Sequence, residues 1–314
     1  MDRAIARANV LHKTLRDQPT SLGVFTINLW GPESGDPEQK KLLLRSIFEN
    51  APDFVFVQEA PLREVLEDAC DGTGYKVQYY IEGHNKYEIM AALSRTTSSW
   101  SIDDTETLKS DECIPTHHRY AHVSKITDGG VSKKRIANVH LCGGMYDEIR
   151  MAVEFESSDG AAAAKGYLAR LVAGKTDLLR KCARAGADVI LGDFNSDMNL
   201  YMFPTDQERR AKVVDYFKGP AMWAKIYAAH ASPPSAEVIE RRALEYARAP
   251  YRFLQEADYI PVWDDEIKET HLYGQTPDAI WYRPYAIHAI RRQYWLPLNE
   301  RGSDHSPVGV VFTA

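Results

Sequence analysis

Five short stretches carry side chains able to act together on a charged substrate: Thr26-Ile27-Asn28-Leu29-Trp30, Gln58-Glu59, Asn138-Val139-His140-Leu141, Gly192-Asp193-Phe194-Asn195 and Ser303-Asp304-His305. Taken singly, Asn28, Glu59 and Asp193 each follow a strand-like run and read as turn formers or caps. Taken together, strands ending in carboxylates or carboxamides bring hard oxygen ligands to one edge of a sheet. That is the donor set Mg²⁺ takes while keeping most of its waters. Asp193 and Asn195 lie two apart, so persistent strand geometry points both side chains the same way, with Gly192 letting the backbone turn. An ionised Asp193 orients or deprotonates a water, while the Asn195 carboxamide holds a transition-state oxygen without adding negative charge. The bland alternative for this segment is an Asx turn after a buried strand.

Asp304 and His305 are neighbours, and neighbours in extended chain face opposite ways. Asp304 is therefore expected to reach a metal, and His305 to need another partner. Asp278, opening Asp278-Ala279-Ile280-Trp281-Tyr282, is the carboxylate nominated, because a buried acid raises an imidazole pKa and fixes its tautomer. His140 interrupts an otherwise apolar strand, either as a satisfied core histidine or as a donor to a phosphate oxygen. The other histidines, including His117 and His118, show no metal-ligand spacing.

These groups need strands to carry them. Gly23–Trp30 and Asp53–Val57 read as strands, the second as one buried on both faces, with a helix over Pro37–Asn50 between them. A short helix is expected over Pro61–Cys70, then strands at Tyr75–Ile81, Tyr87–Ser94, Tyr120–Thr127 and Arg135–Leu141. Asp128-Gly129-Gly130 marks a hairpin turn between the last two. A helix over Ala161–Ala185 leads into the strand Asp188–Leu191. Residues 197–257 form a helix-like insertion broken at Pro233-Pro234, and Asp278–Tyr282, Ile287–Leu296 and Val308–Thr313 are the closing strands.

Length and composition bound the class. With 314 residues, 44% hydrophobic and 26% charged, the chain fits one large α/β domain over residues 21–314 behind an N-terminal extension, 1–20. A net charge of -6 argues against a surface that grips nucleic acid everywhere. It leaves room for a local basic groove, and the clusters Ser132-Lys133-Lys134-Arg135 and Arg291-Arg292 read as solvated strand ends. Cys70, Cys113, Cys142 and Cys182 form no CxxC pair, which points to free thiols in a reducing compartment. No segment reaches the ~18 apolar residues of a transmembrane span, so cytoplasmic or nuclear residence is expected. The acid-poor start (Arg3, Arg7, His12, Lys13, Arg16) is also compatible with an organellar presequence. Nothing specifies an oligomeric state.

The order and spacing of the five motifs, from Gly23 to Phe312, resemble those of the endonuclease/exonuclease/phosphatase superfamily. The resemblance implies a four-layer α/β/β/α sandwich, two central mixed β-sheets flanked by helices, with the site on one rim; periodicity alone supports only mixed α/β. It implies that Glu59 is the principal Mg²⁺ ligand, with Mn²⁺ the alternative ion, and that Asn28 and Asp304 lie close to the metal and its waters. His305 with Asp278 resembles the catalytic His–Asp pair, Asp193 with Asn195 the water-activating pair, and His140 the phosphate-contacting histidine. Arg119, opening Arg119-Tyr120-Ala121-His122-Val123-Ser124-Lys125, resembles the phosphate-contacting arginine of pancreatic-type deoxyribonucleases.

What these roles imply is in-line attack of water on phosphorus with no covalent enzyme intermediate. Asp193 is followed by Phe-Asn-Ser rather than the Leu-Asn-Tyr-Arg of inositol polyphosphate 5-phosphatases, and the Asn28 segment differs from the Trp-Asn-Ile-Asp-Gly of tyrosyl-DNA phosphodiesterases. Tyr273–Tyr282 resembles the Gly-Thr-Leu-Asp-Tyr-Ile-Trp-Tyr element of deadenylase-type nucleases, which tilts the substrate toward a nucleic acid or nucleotide phosphodiester. A phosphatase or lipid-headgroup phosphodiesterase is the alternative activity on the same fold. A catalytically dead binding module fits poorly, since all the carboxylates and histidines are present.

Overall fold

A computed structural model describes residues 21–82, 88–110, 119–129, 132–141, 161–203, 205–208, 210–211, 241, 248–263, 269–272, 275–299 and 301–313. The N-terminal extension, Cys113, His117, His118, Cys142, Pro233-Pro234 and most of the 197–257 insertion lie outside these residues.

In the first sheet, Ser21–Asn28 (β1) and Phe54–Gln58 (β2) run parallel, with Asn28 opposite Gln58. Beyond β2 lie Tyr75–Ile81 (β3) at the edge and Met90–Arg95 (β4) between them. The second sheet runs in the order Trp100–Lys109 (β5), Tyr120–Asp128 (β6), Ser132–His140 (β7), Val189–Asp193 (β8), Asp278–Tyr282 (β10) and Ile260–Pro261 (β9). Ala289–Trp295 (β11) and Val308–Thr313 (β12) return to the first sheet, β12 pairing antiparallel with β1. In the second sheet β7 and β8 are parallel with His140 opposite Asp193, and β10 is antiparallel with Asp278 opposite Asp193.

β1 and β2 are buried throughout because both faces are covered. Val24, Phe54 and Phe56 face the second sheet, while Phe25, Ile27, Val55 and Val57 pack against Leu43, Leu44, Ile47 and Leu66 of the helices Pro37–Phe48 (α1) and Arg63–Cys70 (α2). This is the apolar run without alternation that two-sided burial demands. Asp36 caps α1, its side chain accepting from Glu38 N at 2.9 Å, with Pro37 in the first turn. On the other side Leu178, Leu179 and Cys182 of Ala161–Arg184 (α3) join the core of the second sheet. The result is a four-layer α/β/β/α sandwich of two mixed six-stranded sheets. A short helix, Met198–Met202 (α4), follows β8, and residues 248–256 are helical within the insertion.

Inside the sandwich, Gln58 Nε2 donates to Asn138 Oδ1 at 2.5 Å and to Thr26 Oγ1 at 2.9 Å, tying the sheets together beneath the rim. Cys70 and Cys182 are free and buried. No helix among the described residues is long and apolar enough to cross a membrane.

Three expectations need correction. β5 has no counterpart in the sequence reading, because Ser101–Lys109 lies at a sheet edge and most of its polar side chains face solvent. β1 ends at Asn28, since Trp30 takes a left-handed φ of 61°. Gly192 does not turn the chain out of the sheet; it lies within β8 at φ 137°, where a Cβ would come within 2.0 Å of Val139 O on β7. The glycine serves the close approach of two strands.

Candidate active site

The parallel central strands of both sheets end on one rim, and the antiparallel β10 and β12 start there. Asn28 closes β1, Glu59 follows β2, His140 closes β7, Asp193 closes β8, Asp278 opens β10, and His305 precedes β12. The fold thereby gathers residues that are distant in sequence.

Asn28 sits at the junction between the sheets. Its Nδ2 donates to Glu59 Oε1 at 3.1 Å and to Asp193 Oδ2 at 2.9 Å, and its Oδ1 accepts from Trp30 N at 2.8 Å. The carboxamide therefore meets the acids through its nitrogen, and the oxygen expected to approach a cation is turned to Trp30. His140 Nε2 lies 3.5 Å from Glu59 Oε1 and 3.6 Å from Asp193 Oδ2, so this buried ring faces the two carboxylates. Glu59 makes its own exit from the strand at φ 42°, a conformation that side-chain-bearing residues avoid and that concentrates at functional sites.

The Asp193–Asn195 pair is reached by a turn, and the strand does not continue. Asn195 has φ 47°, its N–H donates to Asp193 Oδ1 at 2.7 Å, and its Nδ2 donates to Asp193 Oδ2 at 3.2 Å and to Leu141 O at 3.0 Å. The Asx turn and the candidate site are thus the same structure. Both carboxamide hydrogens of Asn195 are committed, to Asp193 Oδ2 and Leu141 O, so neither points free toward a transition-state oxygen as expected.

His305 Nδ1 lies 2.8 Å from Asp278 Oδ2, leaving Nε2 to face Asp193 Oδ2 at 4.0 Å and Asp304 Oδ1 at 3.9 Å. Asp304 and His305 do not point apart as extended neighbours would. Ser303 Oγ accepts from His305 N at 3.0 Å and donates to Asn28 O at 2.6 Å, which bends the segment over the end of β1. Arg119 is buried at the start of β6, close enough to Glu59 for its charge to act on that carboxyl.

One residue of this cluster escaped the sequence reading. His271 forms an isolated bridge with His305, its Nε2 lies 3.4 Å from Asp304 Oδ2, and its ring meets that of His305 edge-on with centroids 4.9 Å apart. No motif spacing announces it; only its place seven residues before Asp278 puts it near the site.

The charges are strongly coupled. Burial raises the Glu59 carboxyl, and Asp193 adds to the rise against the hydrogen bond from Asn28. Burial also pushes Asp193 upward, but His305, His140, Asn28 and the Asn195 N–H outweigh it and hold Asp193 below the usual carboxylate range. For His305 burial works against the cation, yet Asp278, Asp193 and Asp304 prevail and raise it to about 10. Burial likewise pushes Asp278 up, with Asp193 adding to the rise, against the charge and hydrogen bond of His305.

Two oxygens bear on a metal. Glu59 Oε2 and Asp304 Oδ1 are buried and accept no hydrogen bond, a condition that costs roughly 1–3 kcal/mol unless a partner is bound. Glu59, His140 and Asp193 offer ligand atoms within 4.8 Å of one another, and His271, Asp304 and His305 do the same. Each group mixes carboxylates with imidazoles, and the orphaned oxygens of Glu59 and Asp304 are the donors that fit a hard divalent cation.

No protein-family model and no curated protein sequence matches the chain. Its fold is similar to solved structures over nearly its whole length. The human Nocturnin catalytic domain with bound sulfate anion matches at TM-score 0.54 and 16% identity, covering 94% of each chain. TDP2 of D. rerio, complexed with single strand DNA product, matches at TM-score 0.53 and 14% identity, covering 93% of this chain and 99% of that one. An endonuclease/exonuclease/phosphatase from Beutenbergia cavernae matches at TM-score 0.54 and 13% identity, covering 93% and 71%. With its paired mixed sheets and flanking helices, the chain has the fold of the endonuclease/exonuclease/phosphatase superfamily.

Proposed function

We propose that this chain is a Mg²⁺-dependent phosphodiesterase that hydrolyses P–O bonds in nucleic acid or nucleotides. The observation that carries the reading is the meeting, at one rim, of two carboxylates from different sheets, Glu59 and Asp193, with Asn28 between them and the imidazoles of His140 and His305 against them. The structural neighbour complexed with single strand DNA product favours a nucleic acid.

Glu59 and Asp304 would hold the ion through their unpartnered oxygens. A bound divalent ion supplies positive charge to the phosphoryl group. Asp193, ionised across the neutral range and fixed by Asn195 and Asn28, accepts a hydrogen bond from the attacking water and takes its proton as the bond to phosphorus forms. His305, tied to Asp278 through Nδ1, presents Nε2–H to the ester oxygen that leaves with the electron pair as its bond to phosphorus breaks. Arg119 adds a second fixed positive charge for phosphate. His140, its Nε2 facing both carboxylates from the second sheet, is the further candidate donor to a phosphate oxygen.

Incubation with Mg²⁺ and single-stranded DNA, double-stranded DNA, RNA or poly(A) is expected to give cleavage of at least one polymer that EDTA abolishes. Absence of cleavage in all four sinks the nuclease reading. Phosphate release from small phosphomonoesters, or headgroup release from sphingomyelin, moves the substrate to the second class of ester.

A further inference from the structure

The loop that aims Asp193 has an anchor outside the rim. Lys175, on α3, is 1% exposed, a setting in which lysine is rare. Its Nζ donates to Asn195 O at 2.9 Å, to Ser196 Oγ at 2.9 Å and to Phe194 O at 3.3 Å. The acceptors belong to three consecutive residues, the ones that directly follow Asp193.

Successive carbonyls of an extended strand point to opposite sides, so two of them converge on one ammonium only where the chain turns between them. Here the turn is the left-handed φ of 47° at Asn195, which asparagine tolerates better than most residues and still disfavours. With Asn195 in that conformation, its N–H reaches Asp193 Oδ1 and its side chain reaches Asp193 Oδ2. Tyr251 clasps the loop further on, donating to Ser196 O at 2.6 Å. The constraint runs from a buried ammonium to two peptide oxygens, to one backbone torsion, and so to the direction of a carboxylate.

We propose that Lys175 is a positioning residue: its ammonium draws the Phe194 and Asn195 carbonyls inward and thereby holds Asn195 in the left-handed conformation that aims the Asp193 carboxylate. The proposal rests on the reading above that Asp193 activates the attacking water. It requires a cation at this point of α3, where a neutral chain of the same length would fill the same space.

Lys175→Met keeps the stem and removes the charge. It is expected to lower kcat about 10- to 100-fold, the usual effect of losing an orienting partner, while KM stays within roughly twofold. Crystals of the variant are expected to show Asn195 out of the left-handed region and its bond to Asp193 Oδ1 broken. Lys175→Arg, which restores a cation with several donors, is expected to recover part of the lost kcat. Leu178→Ala removes core packing on the same helix and serves as the comparison: it is expected to lower the thermal midpoint while leaving kcat within twofold. Where Lys175→Met does not fold, Lys175→Gln is held to the same criteria.

A Lys175→Met enzyme with unchanged kcat, or one whose kcat falls no further than that of Leu178→Ala, overturns the proposal, as does an unchanged Asn195 torsion. Failure of the functional reading looks different. The wild-type protein is then inert toward every phosphoester, and the Asn195 torsion in the variant still decides the role of Lys175.

Discussion

The carboxamide nitrogen of Asn28, the last residue of β1, lies 2.9 Å from Asp193 Oδ2, the last residue of β8, although 165 positions separate them and they belong to different sheets. The same nitrogen holds Glu59 Oε1 at 3.1 Å. Two buried acids that repel one another are thus joined by a neutral donor, and what happens when one charge is removed follows from that.

Asp193→Asn keeps the shape of the side chain and removes its charge. Turnover is expected to fall at least about 100-fold, the usual contribution of a positioned base. The thermal midpoint is expected to drop as well, because the fold favours the ionised Asp193 through His305, His140, Asn28 and the Asn195 N–H, and this outweighs the relief of its repulsion with Glu59. Scanning calorimetry beside a turnover assay checks both; a fully active variant refutes the assignment.

His305 carries the opposite linkage. Its pKa rises on folding from an ordinary value of 6.5 to about 10, so its stabilising contribution is complete below 6.5, shrinks as pH climbs, and is gone above about 10. In metal-free protein the imidazole is expected to stay protonated through neutral pH by NMR. Asp278→Asn is expected to bring its midpoint down by about one unit or more. A wild-type midpoint near 6.5 rejects the ion pair.

His122 behaves in reverse. It is fully buried on β6, its Nδ1 3.0 Å from Thr107 Oγ1, and burial lowers its pKa from 6.5 to about 4. Between those values the unfolded chain binds the extra proton, so stability is intact above pH 6.5 and falls as pH drops toward 4, by about 3 kcal/mol in all. Urea unfolding at pH 7 and pH 4 measures the loss, and His122→Gln is expected to remove most of it. An equal loss in the variant assigns the acid sensitivity to other groups.

Divalent cations are expected to raise the thermal midpoint of EDTA-treated protein. At a concentration of one hundred times Kd the gain is about 2.7 kcal/mol. Glu59→Gln, which weakens the oxygen without a hydrogen-bond partner, is expected to lose most of that gain. A thermal midpoint indifferent to Mg²⁺ and Mn²⁺ argues against a cation at Glu59.

What could be read in the sequence divides along physical lines. β2 and β8 were legible because two-sided burial leaves uninterrupted apolar runs, and their ends fixed where Glu59 and Asp193 fall. β5 was not, since this edge strand keeps only Trp100, Ile102 and Leu108 toward the core among solvated polar side chains, too sparse for an apolar run. Motif order named Asn28 and His305, and the need of His305 for a buried acid named Asp278, but neither could tell which atom of Asn28 meets the acids. That depends on Trp30 N–H taking its oxygen. His271 and Lys175 stayed hidden for one reason: each acts through contacts between segments that only the folded chain brings together.

The rim is divided between the sheets: Asn28, Glu59 and His305 come from one, His140, Asp193 and Asp278 from the other. The first of these sheets is itself completed by β11 and β12 from the far end of the chain. A nascent or truncated polypeptide therefore carries no working set of reactive groups, however much secondary structure it has gained. Under the proposed function, turnover regained during refolding counts only molecules in which both halves of the sandwich have closed.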